Sequence, residues 1–145
     1  MLVVEPDVIE TYVRPGKLKL LFRDVLNHGE RSERASEAAA CAGQQGRFWQ
    51  MHELLFENQD AVWSADRDAL VTLMLGFGAQ IEGLDQAIFA RCLNDRAALP
   101  ALQAADAEQR ARGITVQPVF EIEGQLYYGL LSFERLAAII EEALK

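Results

Sequence analysis

The stretch Gly113-Ile-Thr-Val-Gln-Pro-Val-Phe-Glu-Ile-Glu-Gly124 constrains this chain more than any other part of it. A glycine suited to stopping a helix is followed by a short extended run ending at Pro118, a β-rich stretch and a tight-turn pair, Glu123-Gly124. Apolar and aromatic residues resume from Leu126 to Tyr128, so a hairpin is predicted between Val119–Ile122 and Leu126–Tyr128. Well upstream lies Cys41-Ala-Gly-Gln-Gln-Gly-Arg-Phe-Trp49. The two cysteines of the chain, Cys41 and Cys92, are far apart, and no Cys-x-x-Cys occurs.

At 145 residues and 50% hydrophobic, the chain is long enough for one core and has no repeat or low-complexity linker. Twenty-two acidic against fourteen basic residues give a formal charge of −8, which repels a phosphate backbone. No nucleic-acid partner is expected. The longest apolar stretches, such as 70–77, fall well short of the ~20 residues of a membrane helix, so no membrane span is expected. Met1-Leu-Val-Val-Glu-Pro lacks the basic start and apolar core of a signal peptide.

Val4, Val8, Ile9, Tyr12 and Val13 recur at helical spacing up to the stop at Arg14-Pro-Gly16. Leu18, Leu20 and Phe22 alternate with Lys17, Lys19 and Arg23, which predicts a strand over 17–23. Two helices joined near Gly46 are predicted from about Arg34 to Asn58. Another is expected to begin at a Ser64 cap, with Asp66 and Asp68 in its first turn, and to end at Gly76 and Gly78. Ile88, Phe89, Cys92 and Leu93 mark a short apolar stripe. A further helix is expected from near Pro100 to Arg112 with Gly113 as its C-terminal cap, and a last one after Ser132 with Phe133, Leu136, Ala137, Ile140 and Leu144 on one face.

This order of elements, with the motifs 12–24, His28-Gly29, 38–49, 51–59, 89–93 and 113–124, resembles the DsbA-like group of the thioredoxin superfamily. The resemblance covers essentially the whole chain. It implies a thioredoxin-like α/β fold, 1–145 as one domain, with a helical insertion at about 31–112. In that family a first strand and a Cys-x-x-Cys precede the first helix. Their absence leads us to expect an N-terminally truncated domain whose first β-strand is missing, unless Met1 to Val4 or a second protomer fills the gap. Self-association through the incomplete sheet is the corresponding partner expectation. A further departure is Gln117, where the family often has Thr.

The resemblance implies thiol–disulfide exchange with protein or peptide thiols and disulfides, needing no cofactor beyond the cysteines. With the redox pair missing, this chain is expected to be inactive, and no catalytic residue is assigned. The alternatives are a non-catalytic peptide-binding module that retains the proline groove, and a transferase or isomerase of a related fold. Val116, Gln117 and Pro118 are the substrate-binding candidates, the resemblance implying a cis bond before Pro118 and backbone pairing with an extended peptide. Localisation follows the family only loosely: most members are exported or envelope-bound, and cytosolic relatives exist.

Cys41 and Cys92 admit two readings, a pair of buried thiols or a structural disulfide of the kind some DsbA-like proteins carry in the helical domain. No metal site is expected: His52-Glu53 is followed by Phe56 where a zinc helix would repeat its histidine. His28 reads as a turn residue, Arg23 and Asp24 as an ion pair at a strand end, and Phe48, Trp49 and Met51 as core between insertion and sheet.

Overall fold

The computed structural model describes residues 4–145. They form two compact units, one made of the residues up to Arg23 together with Ile114–Lys145, the other of Asp24–Gly113. The expectation that Met1 to Val4 supplies a strand concerns positions that, but for Val4, lie outside the described residues.

The first unit begins with α1 (Glu5–Val8), which carries Pro6 in its first turn, where a missing N–H costs nothing. It continues without a break as a π-helical turn over Ile9–Val13, with Arg14 N–H donating to the Ile9 carbonyl at 2.9 Å and Lys17 N–H to that of Tyr12 at 2.9 Å. Leu18 N–H also reaches the Tyr12 carbonyl. The strand expected over 17–23 does not form: this stretch belongs to no ladder among the described residues. Alternation alone does not make a strand without a partner, and here the helix terminus takes up the first two N–H groups. Leu21 and Phe22 are exposed.

Strands β1 (Val119–Ile122) and β2 (Gln125–Tyr128) pair antiparallel, Val119 opposite Tyr128 and Ile122 opposite Gln125. Glu123 and Gly124 both adopt positive φ, as a two-residue hairpin turn requires. Helix α8 (Phe133–Ala143) starts at Ser132, whose Oγ accepts from Arg135 N–H. Leu136 and Ile140 of α8 pack with Val8 and Tyr12, and Phe120 and Ile122 cover this core from the hairpin. The buried Tyr12 hydroxyl donates to Glu141, and burial first, then that carboxylate, raises the phenol's pKa.

The second unit is all helical: α2 (Glu30–Gly43), α3 (Phe48–Glu57), α4 (Gln59–Ser64), a 3₁₀ turn at Arg67–Ala69, α5 (Leu70–Gly78), α6 (Gln86–Asn94) and α7 (Leu99–Ala111). The α2–α3 junction turns at Gly46, which has positive φ. Ser64 closes α4 rather than opening the next helix; its hydroxyl donates back to the Asp60 carbonyl at 2.7 Å. The core is assembled from Ala38 and Ala42 of α2, Met51 of α3, Leu70, Met74 and Phe77 of α5, and Phe89 and Leu93 of α6. Ile88, expected on the same stripe, is exposed, because it sits one residue, about 100° around the helix, from Phe89.

Alanines on α2 and Gly78 on α5 let the helices approach closely. A Cβ at Gly78 would fall inside the contact radius of the Phe89 ring. The α2–α3 loop is fastened to the loop before α6 by a reciprocal pair, Gln45 Nε2 to the Asp85 carbonyl at 3.2 Å and Asp85 N–H to Gln45 Oε1 at 2.8 Å. Asp85 also caps α6 through Ala87 and Ile88 N–H.

Candidate functional site

The loop leading into β1 holds Val116, Gln117 and Pro118 at the end of the hairpin. The Gln117–Pro118 peptide bond is cis. Val116 is 52% exposed, Gln117 is exposed and Pro118 is half-buried. The Pro118 carbonyl accepts from Gly129 N–H at 2.9 Å, which extends the hairpin by one bond and fixes the loop to the residues after β2. Tyr128, opposite Val119, is 54% exposed, and Leu130 is 82% exposed. Val116, Tyr128 and Leu130 thus put an uncovered apolar and aromatic surface on the proline-loop end of this unit. Phe120 and Ile122, on alternate positions of β1, face the α8 core instead.

Of the two readings of the cysteines, the structure takes the bridged one. Cys41 on α2 and Cys92 on α6 form a disulfide with Cα atoms 5.9 Å apart. Both are buried, so the bridge lies within the helical core. A buried disulfide offers neither a thiolate nor an approach for one, and its chemistry here is cross-linking.

The helical unit contains two polar clusters whose members are too scattered in sequence for local patterns to reveal. Glu37 on α2 is fully buried. Its carboxylate receives Arg34 Nη1 at 3.3 Å and Arg96 Nε and Nη2 at 3.2 and 3.0 Å, while Arg96 Nη2 also reaches Glu33 Oε2 at 2.7 Å. The hydrogen bond to Glu37 leads in raising the Arg96 pKa, which keeps the guanidinium charged. The second cluster joins Asp24, Ser36 and the buried His52. Asp24, read from sequence as the partner of Arg23, accepts from Ser36 Oγ at 2.5 Å. The serine hydroxyl is spent on the carboxylate rather than presented to the imidazole, so this is not a nucleophilic triad.

His52 sits in an aromatic nest of Phe48, Trp49 and Phe56, with centroids 5.8, 5.3 and 4.7 Å away. Met51 is fully buried as expected of a core residue, but Trp49 keeps a solvent-facing side. His28 lies in a turn, edge-on to Trp63. Among the described residues no three His, Cys, Asp or Glu side chains gather as metal ligands. No helix among them is long and apolar enough to cross a membrane.

A hairpin packed on a terminal helix, a proline loop at its edge and a helical unit carried between define a thioredoxin-like domain. Residues 2–142 match the family described as thioredoxin, and the chain belongs to that family. Its fold is of the thiol–disulfide oxidoreductase type. The sequence is also similar to two antiporters: "Na(+)/H(+) antiporter NhaA 1" of Salinispora arenicola, 32% identical over 110 residues, covering 75% of this chain and 16% of the relative, and "Na(+)/H(+) antiporter NhaA 3" of Salinispora tropica, 31% identical over 142 residues, covering 96% and 20%. The chain therefore spans a fifth or less of the length of these relatives.

Proposed function

We propose that this chain is a DsbA-type recognition module that binds an extended, partly apolar peptide segment of a protein substrate at Val116, Gln117 and Pro118. The observation that carries this reading is the uncovered surface formed by Val116, Tyr128 and Leu130 beside the proline loop. Large exposed side chains grouped at one end of a small unit suit a ligand that covers them. An extended peptide would lie along the loop backbone, with side chains resting on Tyr128 and Leu130. Family membership supports protein thiols and disulfides as the substrate class.

The residues of this chain supply recognition and not exchange. Thiol–disulfide exchange requires a thiolate to attack a disulfide sulfur, with a second thiol resolving the mixed disulfide. The two cysteines here are consumed in the buried bridge. The similarity to the antiporters supports a module carried by, or working beside, a membrane transporter, with binding rather than redox turnover as its contribution.

Two measurements on the purified chain test this reading. Insulin reduction should stay at the uncatalysed rate. An extended peptide with alternating apolar residues should bind, and Val116→Asp with Leu130→Asp should weaken that binding at least tenfold without changing the far-UV circular dichroism. Turnover abolished by Cys41→Ser would overturn the assignment, as would peptide affinity indifferent to both aspartates.

A further inference from the structure

Strand β2 closes one side of the hairpin and leaves its own far side without a ladder. Its register sets Val119 opposite Tyr128 and Ile122 opposite Gln125, and Gly129 N–H donates to the Pro118 carbonyl at 2.9 Å. A two-residue turn and that bond place the mutual hydrogen bonds at the pairs Ile122 with Gln125 and Phe120 with Tyr127. The N–H and C=O groups of Leu126 and Tyr128 therefore point away from β1. Among the described residues the sheet has only these two strands, and nothing pairs with β2 on that side. Native sheets commonly protect an open edge with a lysine, a proline or a bulge. None stands here. The run Gly124-Gln-Leu-Tyr-Tyr-Gly-Leu-Leu-Ser-Phe133 carries neither charge nor proline, the register of β2 is unbroken, and Tyr128 and Leu130 are exposed.

We propose that β2 pairs antiparallel with β2 of a second copy of this chain, across a two-fold axis at Tyr127, to give a four-stranded sheet in the order β1-β2-β2-β1. A two-stranded hairpin is marginal in water, and sheets gain stability of their own from three strands upward. A second copy supplies the further strands in kind. With Tyr127 on the axis, Leu126 of each copy faces the partner's Tyr128, and each such pair exchanges both of its backbone bonds. Each Leu126 then lies beside an aromatic ring on one face of the sheet, a cross-strand pair that stabilises it. Charge favours this arrangement. Each copy carries a formal charge of −8, so association is easiest where like charges stay apart. Antiparallel pairing sends the two Glu123 turns to opposite ends, ~27 Å apart at about 3.4 Å per residue, whereas parallel pairing would set them side by side. Helix α8 also leaves room, since it packs against β1, with Phe120 and Ile122 in its core. Three strand spacings, ~14 Å, separate the two β1 strands, more than the ~8–10 Å that neighbouring helices need. The pairing rests on the backbone of this edge and not on the peptide reading of the proline loop, although Tyr128 serves both.

The test is sedimentation equilibrium of the full chain, without peptide and up to its solubility limit, for the wild type, Leu126→Pro and Tyr128→Lys. The wild type should pass reversibly from monomer to dimer as concentration rises. Leu126→Pro removes an outward N–H and none of the bonds to β1, and Tyr128→Lys puts a charge on the edge. Each should raise the dimer dissociation constant at least tenfold with the far-UV circular dichroism unchanged. Cysteine cross-linking reads the register. Tyr127→Cys should give a disulfide-linked dimer on mild oxidation, because residues facing each other at the axis have Cα atoms about 4.5 Å apart, and Glu123→Cys should not. A chain that stays monomeric throughout overturns the proposal, as does a dimer indifferent to both substitutions or one cross-linked as readily at 123 as at 127. A monomer whose affinity for the alternating apolar peptide falls with Leu126→Pro would give the edge to a foreign strand and equally overturn it. If Leu126→Pro does not fold, Tyr128→Lys and the cross-linking pattern decide.

Discussion

At the scale of single residues, Glu37 has the most at stake. A fully buried carboxylate is tolerated because Arg34 and Arg96 neutralise it and Glu33 shares the second guanidinium. Such a cluster adds little over a well-packed apolar one, but removing one member strands the others. Glu37→Ala should therefore cost on the order of 3 kcal/mol in urea unfolding, whereas an exposed pair such as Arg14 with Glu10 should contribute well under ~1 kcal/mol. Gly78 tests packing in the same unit. Its missing side chain leaves room for the Phe89 ring, so Gly78→Ala should destabilise by ~1–3 kcal/mol despite alanine's better helix propensity, read as a lower urea midpoint. An unchanged or raised midpoint would mean that α5 and α6 can shift apart at no cost. Neither Glu37 nor Asp24 could be assigned its role from sequence. Glu37 and Arg96 are 59 residues apart. Only folding brings such residues together, and charged residues on a helix read by default as a solvated face.

At the scale of elements, legibility follows the range of the forces that make each element. The hairpin, α7 and α8 were readable because their signals are local: a turn pair at positive φ, a proline in a first turn, a serine cap and a periodic apolar face. The stretch 17–23 was not readable, since its alternation is local but a strand is completed by a neighbour. Ser64 misled for a related reason, because a hydroxyl can cap the helix that follows or bond back into the one that precedes it. For α8, Ser132→Ala should lower stability by ~1 kcal/mol, with Ser132→Gly less harmful, measured as the shift in urea midpoint. For the bridge between α2 and α6, Cys41→Ser with Cys92→Ser should cost ~2–4 kcal/mol. That loss should fall on the helical unit's unfolding and leave peptide binding at the proline loop intact. Loss of binding in the double serine variant would tie the bridge to function.

At the scale of the whole molecule, chemistry and recognition are separable. The family's fold is commonly read through its reactive cysteines, yet in this chain both cysteines serve the helical core, and the uncovered apolar surface belongs to the other unit. The matched stretch makes up a fifth or less of the antiporters' length. The most direct measurement is an amide NMR titration of the full chain with an extended, alternating apolar peptide that contains no cysteine. Saturable shifts grouped at 115–119 and 128–131 are expected, unchanged when the Cys41–Cys92 bridge is replaced by serines. Shifts confined to the helical unit, or binding that requires a cysteine in the peptide or the bridge in the chain, would contradict it.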